Sequence, residues 1–180
     1  LFLGLTDYDP KTYEVIPELA TKWSASEDSR TYTFEMRKDV FWSDGVPVTA
    51  HDIEYAIRRN INPETASPYA YALYILEGAE AINKGESKDF NSLGVRAVDD
   101  YTVEFRLTQP AGFFPAMAGL WTYRPLPRRS IEAFGTAWTE PEHILTNGSY
   151  RLATWEKGNQ LILKRNPDYK DSITQQPAQI

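Results

Sequence analysis

The chain has 180 residues and a formal charge of −6, from 25 acidic and 19 basic side chains. No Lys/Arg block exceeds two residues, so the basic stripe of a nucleic-acid reader is missing and no nucleic-acid partner is expected. Cysteine is absent, which excludes disulfides, thiolate-held zinc, iron–sulfur clusters and a thiol nucleophile. Aromatics reach 13%, which favours packed β-structure or aromatic-lined surfaces. No apolar run approaches the roughly 18 residues that cross a bilayer. No charged-then-apolar leader opens the sequence either, so Leu1–Leu5 reads as the interior of a mature segment.

In chain order, Asp7-Tyr8-Asp9-Pro10 has turn composition. Its acids, with Glu18, faintly follow a calcium loop, but Lys11 and Thr12 occupy positions that need a ligand and a glycine, so a solvated turn is preferred. Thr31 to Arg37 alternates strictly, with Tyr32, Phe34 and Met36 on one face, and predicts a half-buried strand. Phe41-Trp42 is a second apolar patch, closed by Ser43-Asp44-Gly45. Thr49 caps a helix with Asp52 three residues on, and Ile53, Ala56 and Ile57 form its apolar stripe until Pro63. Ser67-Pro68-Tyr69 opens a Tyr-rich helical segment to about Asn83, which Gly78 can split. Tyr71 and Tyr74 are assigned to the core. Val95–Val98 and Thr102–Leu107 read as a hairpin around Asp99-Asp100-Tyr101. Phe113–Leu120 reads as a short helix, and Arg124-Pro125-Leu126-Pro127 as an extended crossing between domains. A helical turn follows at Ser130–Phe134, then a second hairpin, Ser149–Trp155 with Leu161–Arg165. Residues 172–180 are expected to fray.

The chain is poor in reactive chemistry. His51 and His143 are its two histidines, and His51 at a helix start reads as an exposed polar residue. There is no Gly-x-Ser-x-Gly elbow, no phosphate-binding glycine loop and no His-Glu-x-x-His helix. Asp99-Asp100 is given a turn role, and Asn147-Gly148-Ser149, formally a glycan acceptor, carries little weight. No catalytic residue, metal ligand or cofactor is expected, and binding outranks catalysis.

The run Trp23…Asp28-x-x-Thr31-Tyr32-Thr33-Phe34-Glu35-Met36-Arg37-x-Asp39-Val40-Phe41-Trp42-Ser43-Asp44-Gly45-x-Pro47-Val48-Thr49-Ala50-His51-Asp52 closely resembles the family-5 extracytoplasmic solute-binding proteins of ABC importers, the peptide and nickel group. Leu1-Phe2-Leu3-Gly4-Leu5 is similar to the family's Leu-Phe-Glu-Gly-Leu, with Leu3 in place of the acid. Thr65–Ala70, Leu93–Asp100, Thr146–Leu152 and Asn166-Pro167-Asp168-Tyr169 extend the likeness to about residue 170.

The resemblance implies an α+β fold, a fragment of a type II periplasmic-binding-protein-like architecture with mixed sheets, hairpins and short packed helices. It implies that 3–127 forms the family's small extra domain, that 1–2 and 128–171 belong to its first lobe, and that the second lobe is absent. It further implies capture of oligopeptides in a cleft between lobes, outside the cytoplasmic membrane (periplasm or cell surface), for an ABC importer permease. The alternatives are another solute of the same family (a nickel chelate, haem or an oligosaccharide) or an interaction domain that touches no solute. One cleft position carries over by residue: Tyr69, in Ser67-Pro68-Tyr69, whose family counterpart lines the peptide site. The 180 residues alone are expected to hold peptide weakly or not at all.

Overall fold

The computed structural model describes residues 1–169, so the fraying expected of 172–180 lies outside the described residues. The chain divides into two compact units. One comprises Gly4–Arg37 and Thr49–Leu126; the other comprises Leu1–Leu3, Lys38–Val48 and the chain from Pro127 onward. Lys38–Val48, which the sequence reading assigns to the 3–127 span, clusters with the second unit.

The larger unit begins with a two-stranded ribbon, β1 (Thr6–Tyr8) and β2 (Val15–Pro17). Its turn is held by Asp9, whose carboxylate accepts from the amides of Lys11 and Thr12. Those bonds stabilise the ionised form and lower the Asp9 pKa. The acid of the rejected calcium loop is thus engaged by its own turn.

β3 (Ala20–Ala25), β4 (Thr31–Met36), β5 (Val95–Asp99) and β6 (Thr102–Arg106) form an antiparallel sheet in the order β3-β4-β6-β5. The alternation in Thr31–Met36 is realised: Tyr32, Phe34 and Met36 are buried while Thr31, Thr33 and Glu35 are not. Register sets Tyr32 opposite Phe105 and Phe34 opposite Val103, so aromatic and branched residues meet across the ladder. β3 has no such signal in sequence because it is an edge strand with mostly exposed side chains.

Helix α1 (Ala50–Ile61) covers β5 and β6. The Thr49 amide donates to the Asp52 carboxylate at 2.9 Å, the back-reaching bond that the spacing predicts. Ala50, Ile53, Ala56, Ile57 and Ile61 are buried. Glu54 bridges helix to sheet, accepting from the Ala97 amide and from Arg58 Nε, each at 2.8 Å.

The helical segment expected over 69–83 breaks into a 3₁₀ turn, Ala70–Leu73, and α2 (Ala79–Asn83). Residues 75–77 leave the helix to bond with the strand neighbours. The Thr108 amide donates to Ile75 O, the Glu77 amide to Arg106 O and the Gly94 amide to Glu77 O. Gly78 then turns with φ +69° before α2 begins. The helix expected over 113–120 contracts to α3 (Phe114–Met117). A 3₁₀ turn, Trp121–Tyr123, follows it. At the centre lies an aromatic cluster in which Phe114 meets Tyr32, Phe34, Phe105 and Tyr123, with ring centroids 5.2–6.3 Å apart.

In the second unit Phe2 packs edge-on against Trp42 and Trp138, at 6.3 and 6.4 Å. The Ser43-Asp44-Gly45 turn has Gly45 at φ +87°. Arg129 grips Asp44 with two nitrogens, Nε at 2.7 Å, which ties that turn to α4 (Arg128–Phe134). These contacts are why 38–48 joins this unit. The expected hairpin forms as β7 (Tyr150–Glu156) and β8 (Gln160–Arg165), antiparallel with a bulge between Leu152 and Thr154. Asn147 is 1% exposed and its Oδ1 accepts from the Leu3 amide, which removes it as a glycan acceptor. The α+β class expected from sequence is what the structure has: hairpin-built sheets with short helices.

Candidate functional site

Tyr69 is held by a stiff stretch of chain. Asn62 Oδ1 caps the 3₁₀ turn Pro63–Thr65 by accepting from the Glu64 amide at 3.0 Å. Ala66 then takes a left-handed conformation, φ +50°, and Pro68 fixes its own φ just before the site. Ala70 and Leu73 are buried and pin the turn to the core, which drives the Tyr69 and Tyr71 rings outward. Tyr69 is 47% exposed and Tyr71 63%, so the core assignment of Tyr71 is corrected. In a 3₁₀ turn anchored at 70 and 73, position 71 cannot also face inward. Tyr74 is half-buried and donates from its hydroxyl to Asn83 Oδ1 at 2.7 Å.

A residue far along the sequence joins the two tyrosines. Trp121, 63% exposed, meets Tyr69 edge-to-face with centroids 5.5 Å apart and planes at 87°, and the Tyr71 ring centroid lies 6.2 Å from that of Tyr69. Two bonds hold the Trp121–Tyr123 turn in register. Tyr123 Oη donates to Ala72 O at 3.2 Å, and Asn60 Nδ2 donates to Thr122 O at 3.0 Å. Tyr69, Tyr71 and Trp121 form a shelf of three exposed rings whose hydroxyls and indole N–H bond to none of the described residues. Such a shelf offers apolar area at low entropic cost, with donors at its edge. Trp121 reaches Tyr69 only through the fold, from 52 residues along the chain, and no local pattern in the sequence pairs the two.

The electrostatics of this unit centre on Glu18. Burial pushes its carboxyl up to about 7, against the Gly4 amide that it accepts from; Asp7 adds to the rise and Arg124 opposes it. The folded chain therefore keeps this proton where the unfolded chain has lost it. The stability it contributes is complete below pH 4.5 and disappears as the pH rises to about 7. Glu18→Gln is expected to flatten that fall and, at pH 8, to be the more stable chain by about 2 kcal/mol after allowance for screening. Melting temperatures of both chains between pH 4 and 8 check this, and parallel profiles would refute it.

His51 is exposed, as expected, and sits 3.4 Å from Asp100. Asp99 accepts from the Tyr101 amide at 2.8 Å, a turn role. Among the described residues no group of three or more His, Asp or Glu is placed to hold a metal ion. Two surface cavities, of about 390 and 370 Å³, lie at Pro63–Ile82–Phe90 and at Arg129–Phe134–His143, and Tyr69 lines neither. In the second, His143 stacks on Phe134 with centroids 3.8 Å apart. Among the described residues no helix is long and apolar enough to cross a membrane.

Residues 14–180 match the family model described as bacterial extracellular solute-binding proteins, family 5, middle portion. The chain is 41% identical over 171 residues to the periplasmic oligopeptide-binding protein OppA of Escherichia coli K12, covering 94% of this chain and 31% of that protein. Among solved structures, the substrate-binding domain of an oligopeptide ABC transporter from Bacillus anthracis superposes with a TM-score of 0.92 at 35% identity, covering 99% of this chain and 34% of the other. OppA of Haemophilus influenzae in complex with the peptide RPPGFSPFR gives 0.88 at 38% identity, covering 94% and 33%. The chain thus spans about a third of the length of the relatives it matches.

Proposed function

Because the chain belongs to the bacterial extracellular solute-binding proteins of family 5, we propose that it is part of the substrate-binding component of an ABC importer, one that captures oligopeptides outside the cytoplasmic membrane and delivers them to a permease. It acts as a binder, with no catalytic step. The unit built on Gly4–Arg37 and Thr49–Leu126 serves as the family's small extra domain. The other unit is part of the first lobe, and a second lobe beyond these 180 residues completes the cleft. An extended peptide is gripped through its backbone, with water filling the side-chain pockets, and hinge closure of the lobes buries it.

The observation that carries this reading is the exposed ring of Tyr69, fixed by buried neighbours at 70 and 73 and backed by Trp121. Its aromatic face and free hydroxyl suit contact with a peptide backbone of any sequence. Calorimetric titration of the complete gene product with di- to pentapeptides tests it. Tyr69→Ala is expected to weaken peptides about tenfold regardless of their sequence. The 180-residue piece is expected to show no binding tighter than millimolar, since it spans only about a third of the length of its relatives. Micromolar binding by the piece alone, or unchanged affinity in the variant, overturns the assignment. Heat released by a nickel chelate, haem or an oligosaccharide but not by peptides moves the protein to another solute of the family.

A further inference from the structure

The cavity of about 390 Å³ at Pro63–Ile82–Phe90 is lined only by residues of the larger unit. It forms where two helices end. Asn83 Nδ2, at the close of α2, donates to Ile61 O, at the close of α1, at 2.9 Å. The chain then turns at Gly85, φ +76°, and the amides of Glu86 and Ser87 donate to Ala81 O at 2.9 and 3.0 Å, which folds this loop back onto α2. Arg58 Nη1 donates to Phe90 O at 2.9 Å and ties that side of the cavity to α1. Ile82, 1% exposed, and the half-buried Phe90 supply its apolar surface. Two charged groups line the same space, the Glu64 carboxylate and the Lys88 ammonium. Neither side chain bonds to any of the described residues, and the two form no ion pair with each other. The nearby Lys84 shows the usual outcome, donating to Glu80 at 2.6 Å. Asn62 Oδ1 is engaged by the Glu64 amide at 3.0 Å and Ser87 Oγ by the Asp89 amide at 3.1 Å, so the Asn62 Nδ2 and Ser87 hydroxyl protons are left to donate.

We propose that this cavity is a second binding site, for a small zwitterion with an apolar tail: a free amino acid such as leucine. Lys88 takes the carboxylate, Glu64 takes the ammonium, and Ile82 and Phe90 receive the side chain. An anion alone or a cation alone would satisfy one of the two charges and leave the other open. An uncharged apolar molecule would satisfy neither. Pockets for small ligands run from roughly 300 to 1,000 Å³, so a volume near the lower end suits a molecule of this size and not a long peptide. Charge-assisted hydrogen bonds at both ends fix the ligand's direction in the cavity. The site is separate from the peptide cleft, since Tyr69 does not line it.

The complete gene product is titrated calorimetrically with leucine, with leucinamide, which lacks the carboxylate, and with N-acetyl-leucine, which lacks the ammonium. The wild type is expected to bind leucine with a Kd of about 1 mM or tighter and each analogue about tenfold more weakly. Lys88→Gln is expected to lose the preference for leucine over leucinamide, and Glu64→Gln the preference for leucine over N-acetyl-leucine. Each variant should keep the other preference, because each removes one end of the site. Both side chains are exposed and unpartnered, so both variants should melt with the parent. If either fails to fold, the analogue series on the wild type still decides. Absence of saturable leucine binding up to about 10 mM overturns the proposal, as does equal binding of leucine and its analogues. A preference that survives in its matched variant places the leucine elsewhere, in the peptide cleft for example, and overturns it too. None of these outcomes bears on peptide capture, which is read from the di- to pentapeptide titrations.

Discussion

Phe114→Ala is expected to lower the stability of the chain by about 3–5 kcal/mol, because it empties the centre of the larger unit's core. The ring is fully buried and makes contact with four other aromatics, Tyr32, Phe34, Phe105 and Tyr123. Tyr32 comes from β4, Phe105 from β6 and Tyr123 from the turn beside Trp121, so the cavity would open between sheet and turn, where collapse is hindered. Tyr32 Oη also donates to Ala111 O at 2.8 Å, a bond that fixes one wall of the cavity and limits repacking. Against a typical total of about 5–15 kcal/mol, a loss of this size leaves the unit marginal. The neighbouring Phe113→Ala supplies the control: that ring is 58% exposed, and its removal is expected to cost about 0.5 kcal/mol or less. Urea unfolding of the two variants followed by intrinsic fluorescence checks the contrast, and equal midpoints would refute the assignment of Phe114 to the core.

The same packing explains what could be read in the sequence. β4 and α1 were legible because each has one buried and one solvated face, so the periods of two and 3.6 survive in Thr31–Met36 and in Ile53-Ala56-Ile57. β3 was illegible since an edge strand with exposed side chains needs no alternation. Residues 70–83 misled for the opposite reason. Their composition suits a helix, but backbone bonds from 75–77 to 106–108 and 94 are long-range, and no local pattern encodes them. The site follows the same rule. Family likeness rather than spacing points to Tyr69, and no local pattern turns Tyr71 outward, since that follows from the burial of Ala70 and Leu73. Trp121 joins Tyr69 only through the fold, by the bond of Tyr123 to Ala72 and the ring contact itself.

That long-range junction makes Gly94→Ala the most informative backbone substitution. Gly94 accepts from the Arg106 amide at 2.9 Å and donates to Glu77 O at 2.8 Å, so it joins β6 to the 75–77 segment. A methyl group added there would lie 2.1 Å from Arg106 O and 2.8 Å from the Glu77 amide nitrogen, both of them backbone atoms. Neither can yield by rotating a side chain. Arg106 is also held, donating to the Glu77 carboxylate at 3.0 Å and to Leu93 O at 3.3 Å. Relief therefore requires one of the two segments to separate, at an expected cost of about 3 kcal/mol or more. Gly112→Ala is the matched control: nothing lies within 4 Å of its added methyl, and its conformation is one that alanine accepts. It is expected to be neutral, or stabilising by about 0.5 kcal/mol through the unfolded chain. Because 75–77 continue directly from the turn that carries Tyr69 and Tyr71, Gly94→Ala should also disturb the shelf. Its Trp121 emission is expected to shift before global unfolding, whereas Gly112→Ala leaves it unchanged. A Gly94→Ala chain as stable as the parent would mean that 75–77 does not pair with β6, and the placement of the aromatic shelf would fall with it.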